Sequence, residues 1–198
     1  MSAPPVTVLN ASPEEEAAII TAVRAAPGRI VAGPEQVDGL YALLSDERVS
    51  GPIYDLPRPI TRDSIARWVE QSAALNRQGR CILAVNLDEV GEVSGYSRFS
   101  IWPERASGEL AGARRADLQN SGSGRQGVTQ SIGWMFEVLN LRLIGLTAAL
   151  DNVRSARAIE GAGFRSLGEV ESVKPDGSSR RSLYWELTRE EWERLHRL

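Results

Sequence analysis

The stretch QNSGSGRQGVTQSIGWMFEVLNLRLIGLTAAL, residues 119–150, decides the fold. It opens with Gln119-Asn120-Ser121-Gly122-Ser123-Gly124, a turn rich in glycine and serine. Val128, Ile132, Met135, Phe136 and Leu139 then recur at the 3.6-residue period of an amphipathic helix. Residues 142–150 follow as a continuous apolar run, the pattern of a central strand. Glycines let the backbone turn sharply and approach a ligand closely. The first N–H groups of the following helix lack intrahelical partners, and the helix dipole favours an anion there. Taken alone, the turn reads equally as a flexible Gly/Ser connection or as a cradle for a phosphate or pyrophosphate. A mononucleotide P-loop is a poor fit, because no Gly-Lys-Ser/Thr follows. A dinucleotide fingerprint is also poor, since the third glycine and an early strand–helix–strand unit are missing.

Working outward, residues 108–115 predict a strand before this turn, though alanine and glycine weaken the pattern. Residues 81–87 and 92–101 predict two strands joined by a turn at Asp88 to Gly91. Asn152 can cap a helix running toward Gly161-Ala162-Gly163. Two strands near 165–173 and 179–187 follow, with Asp176-Gly177 in their turn. Thr188-Arg189-Glu190-Glu191 is a capping box opening a C-terminal helix with Trp192 and Leu195. Toward the N-terminus, Val6 to Asn10 reads as a short strand. Ser12-Pro13-Glu14-Glu15 then starts a helix striped by Ile19, Ile20 and Val23 and ended by Pro27-Gly28. Arg29 to Ala32 reads as a strand, and Val37, Leu40, Tyr41 and Leu44 share a helix face. Pro52, Pro57 and Pro59 stiffen a loop at 50–62, and the next helix carries Ile65, Trp68 and Val69. The order is mixed α/β, with antiparallel and crossover connections around a central sheet flanked by helices.

Composition excludes several function classes. The chain has 198 residues, 42% hydrophobic and 25% charged, which suits one globular domain. A net charge of −3 argues against a nucleic-acid footprint. No apolar run reaches the ~18 residues of a membrane span, and Met1-Ser2-Ala3-Pro4-Pro5 is not a signal peptide, so no membrane partner and a cytoplasmic location are expected. With one cysteine, Cys81, and one histidine, His196, an internal disulfide, a metal site and a histidine triad are not expected. Cys81 lies in an apolar strand and reads as core. His196 reads as a solvated tail residue, and the near-total use of arginine over lysine reads as base composition.

The Gln-x-x-Gly-x-Gly pattern, its helix, the apolar strand, and Asn152-x-x-Ser155 up to Gly163-Phe164 resemble the GNAT acetyltransferase superfamily. The nearest resemblance is to its ribosomal-protein-N-terminal, RimJ/RimL-like, branch, over roughly residues 29–192. Residues 1–28 then form an N-terminal extension, covering a sheet edge or a partner chain, and 29–198 the GNAT domain. The resemblance implies acetyl-CoA as acyl donor, with its pyrophosphate held by backbone amides of Gln119, Asn120, Ser121, Gly122, Ser123 and Gly124, and Arg125 just beyond. It implies that the backbone at Ala113, Arg114 and Arg115 pairs with the pantetheine arm, and that Asn152 and Ser155 lie near that arm and the thiol. The acceptor is a primary amine, on a peptide N-terminus or a small molecule. A homodimer stays open.

Acyl transfer to an amine needs a neutral amine, a polarised thioester carbonyl and a protonated leaving thiol. An alkyl amine of pKa ~10 is mostly protonated at neutral pH, so a base must take a proton. Backbone N–H groups at a splayed strand can polarise the carbonyl. Glu109, ten residues before Gln119, is the base candidate, because that branch often has a glutamate there. Many relatives place a tyrosine four residues before the Gly-Phe pair. This sequence has Ile159 there, so that role is absent, which leaves Ser155 or water to protonate the thiolate. Tyr54, Tyr96, Arg98 and Trp102 are candidates for the acceptor cleft or for ordinary packing. A non-catalytic acyl-CoA-binding or sensing module of the same fold is the alternative function, and an unrelated nucleotide-phosphate binder a third.

Overall fold

The computed structural model describes residues 3–118, 123–173 and 177–196, with the side chains of 123–125, 154 and 173 outside that description. In chain order the elements are α1 (Pro13–Ala25), β1 (Ile30–Val31), α2 (Val37–Ser45), α3 (Glu47–Ser50), α4 (Arg62–Arg77), β2 (Cys81–Leu87), β3 (Val93–Trp102) and β4 (Ser107–Arg114). Then come α5 (Ser123–Glu137), β5 (Leu143–Ala149), α6 (Val153–Gly161), β6 (Arg165–Val173), β7 (Ser179–Thr188) and α7 (Arg189–His196). The seven strands form one sheet in the order β1-β2-β3-β4-β5-β7-β6. Every pairing is antiparallel except β4 with β5. A parallel pair cannot be joined by a tight hairpin, and α5 is the crossover that joins this one.

Side chains alternate across each strand, so each face of the sheet has its own core. Ile82, Phe99, Ile101, Ile144, Leu146, Trp185 and Leu187 point to one face, where α1 and α5 bring Ile19, Val23, Ile132, Met135 and Phe136. The intervening Leu83, Val85 and Tyr96 point to the other, against Leu40, Leu44, Ile65, Trp68 and Val69 of α2 and α4. Trp68 and Tyr96 meet edge to face at 5.4 Å. Toward β4, β5 and β7 this second face turns polar: Arg98, Ser100, Ser107, Ser182 and Glu186 are all buried.

The helix starts follow their caps. Ser12 Oγ accepts from the Glu15 N–H, as expected. The Glu15 carboxylate pairs with Arg142 Nε at 2.9 Å, which ties α1 to the entry of β5. At α7 the capping box is reciprocal. The Glu191 N–H donates to Thr188 Oγ1, while Glu191 Oε2 accepts from the Thr188 N–H and hydroxyl.

Three details differ from the sequence reading. Val6 to Asn10 is not a strand. The Val6 and Thr7 N–H groups donate to side chains of β7, to Tyr184 Oη and Glu186 Oε1, so no ladder forms. Tyr41 is exposed, and Leu43 takes its place on the buried face of α2. Leu195 is exposed on α7, whose one buried side chain is Trp192.

Candidate active site

Strands β4 and β5 pair over only three positions: Ser107 with Leu143, Gly108 with Ile144, and Glu109 with Gly145. Beyond that point β4 stays paired with β3 as far as Arg114, and β5 with β7 as far as Ala149. Each strand keeps its outer neighbour and loses its inner one, so a wedge opens in the sheet. Leu110 to Ala113 along one side of it have no β5 partner in the ladder. An edge of strand amides and carbonyls is a template for an extended ligand.

Glu109 stands at the apex of the wedge. Its register partner Gly145 carries no side chain, and Thr147, two residues along β5, lies on the same face. The Thr147 hydroxyl donates to Glu109 Oε1 at 3.3 Å. Tyr54, from the proline-rich loop, faces the same space. Burial pushes its phenol up, the Glu109 charge adds to that, and a hydrogen bond with Thr147 opposes it. The Arg180 guanidinium lies 3.8 Å from the Tyr54 ring centre, a cation–π contact, and burial lowers its pKa. Opposite, the Tyr184 hydroxyl donates to Glu186 Oε1 at 2.6 Å. Burial and that hydrogen bond raise the Tyr184 phenol, so it keeps its proton.

These groups enclose a pocket of about 120 Å³, lined by Tyr54, Glu109, Gly145, Thr147, Tyr184 and the N-terminal residues Ala3 to Val6. A larger depression of about 800 Å³ lies between α2, α3 and residues 115–117. Its arginines are engaged: Arg115 with Asp88 and Asp117 at 3.0 and 2.8 Å, and Arg48 with Asp46 at 2.7 Å. The smaller pocket brings a carboxylate, Glu109, to the point where the strands part.

The remaining candidates distribute as follows. Ala113 and Arg114 lie on β4 beyond its ladder with β5, where they pair with Tyr96 and Gly95 of β3. Arg115 lies just past it, with its N–H on Ser94 O. Gln119, Asn120, Ser121 and Gly122 lie outside the described residues. Ser123, Gly124 and Arg125 form the first turn of α5. Asn152 caps α6 just past the C-terminal end of β5, its Oδ1 accepting from the Ser155 N–H at 3.1 Å. Ser155 does not line the Glu109 pocket. Tyr96 and Trp102 are core residues. Arg98 is buried beside Ser100 and 4.0 Å from Asp55. Cys81 is buried and its thiol pushed up by that burial. His196 is exposed but stacks on Trp192 at 3.6 Å, which makes it more than a solvated tail.

Sequence reasoning missed Thr147, Tyr184 and Glu186. The signal was present: a lone hydroxyl interrupts the apolar run 142–150, and a carboxylate interrupts the apolar end of β7.

A family model described as an acetyltransferase (GNAT) domain matches residues 32–165. The chain belongs to the GNAT acetyltransferase family. No curated protein matches it in sequence. Solved structures share the fold at low identity. The ribosomal-protein-S5-alanine acetyltransferase from Vibrio fischeri superposes with a TM-score of 0.68 at 18% identity, covering 82% of this chain and 92% of that one. Mycobacterium smegmatis RimJ, in complex with CoA-disulfide, gives 0.68 at 17% identity and 81% of each chain. AAC(6')-Ib in complex with ribostamycin and coenzyme A gives 0.68 at 20% identity, covering 84% and 96%. Among the described residues of this GNAT chain no helix is long and apolar enough to cross a membrane.

Proposed function

We propose that this GNAT domain transfers an acetyl group from acetyl-CoA to a primary amine by direct attack, as a cytoplasmic enzyme. The observation that carries the reading is the parting of β4 and β5 at Glu109, beside a pocket that holds the carboxylate. The residues fit the donor. The edge of β4 through Ala113 and Arg114, beyond its ladder with β5, suits its extended arm. The start of α5 at Ser123, directly after the glycine-bearing stretch from Gln119 in the sequence, suits its pyrophosphate. Arg125 lies in the first turn of α5, and Asn152 and Ser155 stand at the head of α6. Acetyl-CoA supplies an activated acyl group as its thioester.

The chain's own residues do the rest. Glu109 accepts a proton from the incoming ammonium at a carboxylate oxygen, directly or through water, so that nitrogen presents a lone pair. The hydrogen bond from Thr147 holds that carboxylate toward the wedge. Backbone N–H groups along β4 polarise the carbonyl. As the C–N bond forms and the C–S bond breaks, the Ser155 hydroxyl, or water, relays to the leaving sulfur the second proton that the attacking nitrogen sheds, so the amide and the free thiol are both neutral. Free-thiol release from acetyl-CoA across a panel of peptides and small amines tests the reading. Turnover with at least one amine, lost in Glu109→Gln, is expected. Tight acetyl-CoA binding with no turnover on any amine would instead establish the binding or sensing module.

A further inference from the structure

The segment Ala3 to Thr7 crosses the polar face of the sheet and closes one side of the Glu109 pocket. It is held at several points. The Val6 N–H donates to Tyr184 Oη at 3.0 Å, and the Thr7 N–H to Glu186 Oε1 at 2.9 Å. The Thr7 hydroxyl donates to Glu186 Oε2, and Arg105 Nη1 to the Pro5 carbonyl at 3.4 Å. Glu186 is 1% exposed. A buried carboxylate is costly unless its oxygens are hydrogen-bonded, and two of the donors to this one come from Thr7. Pro5 is buried, and Gly145 makes the room for it. A Cβ at Gly145 would stand 3.3 Å from Pro5 Cγ and 2.6 Å from Tyr184 Oη. Gly145 faces Glu186 in register and Thr147 faces Tyr184, so two successive rungs of β5 and β7 form the seat of the segment. Pro4 and Pro5 fix their own φ angles, which makes it a stiff wall.

We propose that residues 3–7 are a specificity wall: they seal the acceptor pocket opposite Tyr54 and admit only a slender, unbranched primary amine. This rests on the acetyl-transfer reading above. The pocket volume of about 120 Å³ lies well below the ~300–1,000 Å³ of pockets that take drug-sized ligands, which favours a slender acceptor over a substituted ring. The hydrogen-bonded Tyr184 and Glu186 act here as positioning residues, because their polar groups hold the wall.

The test compares the full chain with a variant in which residues 3–7 are exchanged for alternating glycine and serine at the same length. A second variant, Tyr184→Phe, keeps the ring and removes the oxygen that receives the Val6 N–H. The probes are n-butylamine and cyclohexylmethylamine. Each is measured by calorimetric binding in the presence of CoA and by kcat/KM with acetyl-CoA. The parent is expected to favour n-butylamine at least tenfold in both. The exchanged variant is expected to bring the two amines within about threefold by gaining on the bulky one, with the KM for acetyl-CoA unchanged. Tyr184→Phe moves the ratio the same way by a smaller factor, and decides the matter if the exchanged chain does not fold. An unchanged preference in a folded variant overturns the wall. So does a variant that gains equally on both amines, since the segment is then a plug. If the binding preference shifts as expected while no amine is turned over, the wall stands and the acetyl-transfer reading falls. If amines are turned over and selectivity does not move, the reverse holds.

Discussion

Thr147 reaches across the opening between β5 and β4 to hydrogen-bond Glu109, at the place where the two strands stop pairing. A strand hydroxyl there fixes the rotamer of a side chain that would otherwise swing in the wedge. In the proposed transfer, a carboxylate held this way is aimed before substrate arrives, which keeps reorganisation out of the reaction step.

Glu109→Gln keeps the shape and removes the basicity. Loss of a general base costs ~10²–10⁴-fold in rate, and acetyl-CoA affinity is expected to change little. Thr147→Val removes the donor alone. Its expected signature is a smaller fall in kcat, because the carboxylate loses the group that fixes its rotamer. Steady-state rates check both. A Glu109→Gln rate within a few-fold of the parent would make Glu109 structural.

Gly145→Ala is expected to destabilise the fold by ~1–3 kcal/mol, the usual cost of overpacking. The new Cβ would lie 2.6 Å from Tyr184 Oη. That oxygen cannot simply move aside, because it donates to Glu186 and accepts from Val6. In the double variant with Tyr184→Phe the obstructing oxygen is gone, so the two changes are expected to cost less than their sum. Denaturant unfolding of the two single variants and the double variant measures the coupling. Strict additivity would mean that the strand relaxes elsewhere.

Most of the architecture was legible because it is written locally. The stripe from Val128 to Leu139, the apolar run at 142–150 and the Thr188–Glu191 box each announce an element within a dozen residues. The wedge was legible only through resemblance, since nothing inside β4 says where its pairing with β5 will stop. The pocket was less legible still. Thr147 meets Glu109 across 38 positions of sequence, and Val6 meets Tyr184 across 178. Such contacts depend on strand register, which no local pattern encodes. Val6-Thr7-Val8 shows the same limit from the other side. Its β-branched residues suit a strand, but its donors are taken by the side chains of Tyr184 and Glu186.

The α7 capping box predicts a pH dependence of stability. Hydrogen bonds from the Thr188 backbone, and then from its hydroxyl, hold the Glu191 carboxyl below its ordinary range. A carboxyl whose pKa is depressed in the fold contributes stability that is present above its unfolded value, ~4.3, and is lost as pH falls through the folded value. Glu191→Gln is therefore expected to flatten part of the stability loss below about pH 4.3 and to cost most near neutrality. Solvent exposure keeps the effect modest. Thermal melts from pH 3 to 7 show it as a narrowing gap between parent and variant on acidification. A gap that stays constant would mean that the cap does not depend on charge.

Asn152 separates a cap from a cofactor contact. Its Oδ1 accepts the Ser155 N–H at the start of α6, so Asn152→Ala is expected to cost ~0.5–2 kcal/mol of stability through capping alone. Asn152→Asp can still accept that hydrogen bond, and a negative charge suits a helix N-terminus, so its stability is expected to match the parent. The two variants diverge for the acetyl donor. If the amide also serves the donor's arm, Asp keeps the fold and still binds CoA more weakly, because it has lost the N–H₂ donor and brought a charge toward an anionic ligand. Calorimetric CoA affinity, measured well below the melting temperature of each variant, decides between the roles. Weak binding in both variants, with stability lost only in alanine, makes Asn152 a contact as well as a cap. Parent-like binding in both leaves it a cap alone, and moves the donor's arm toward Ala113 and Arg114 on the edge of β4 that faces the wedge.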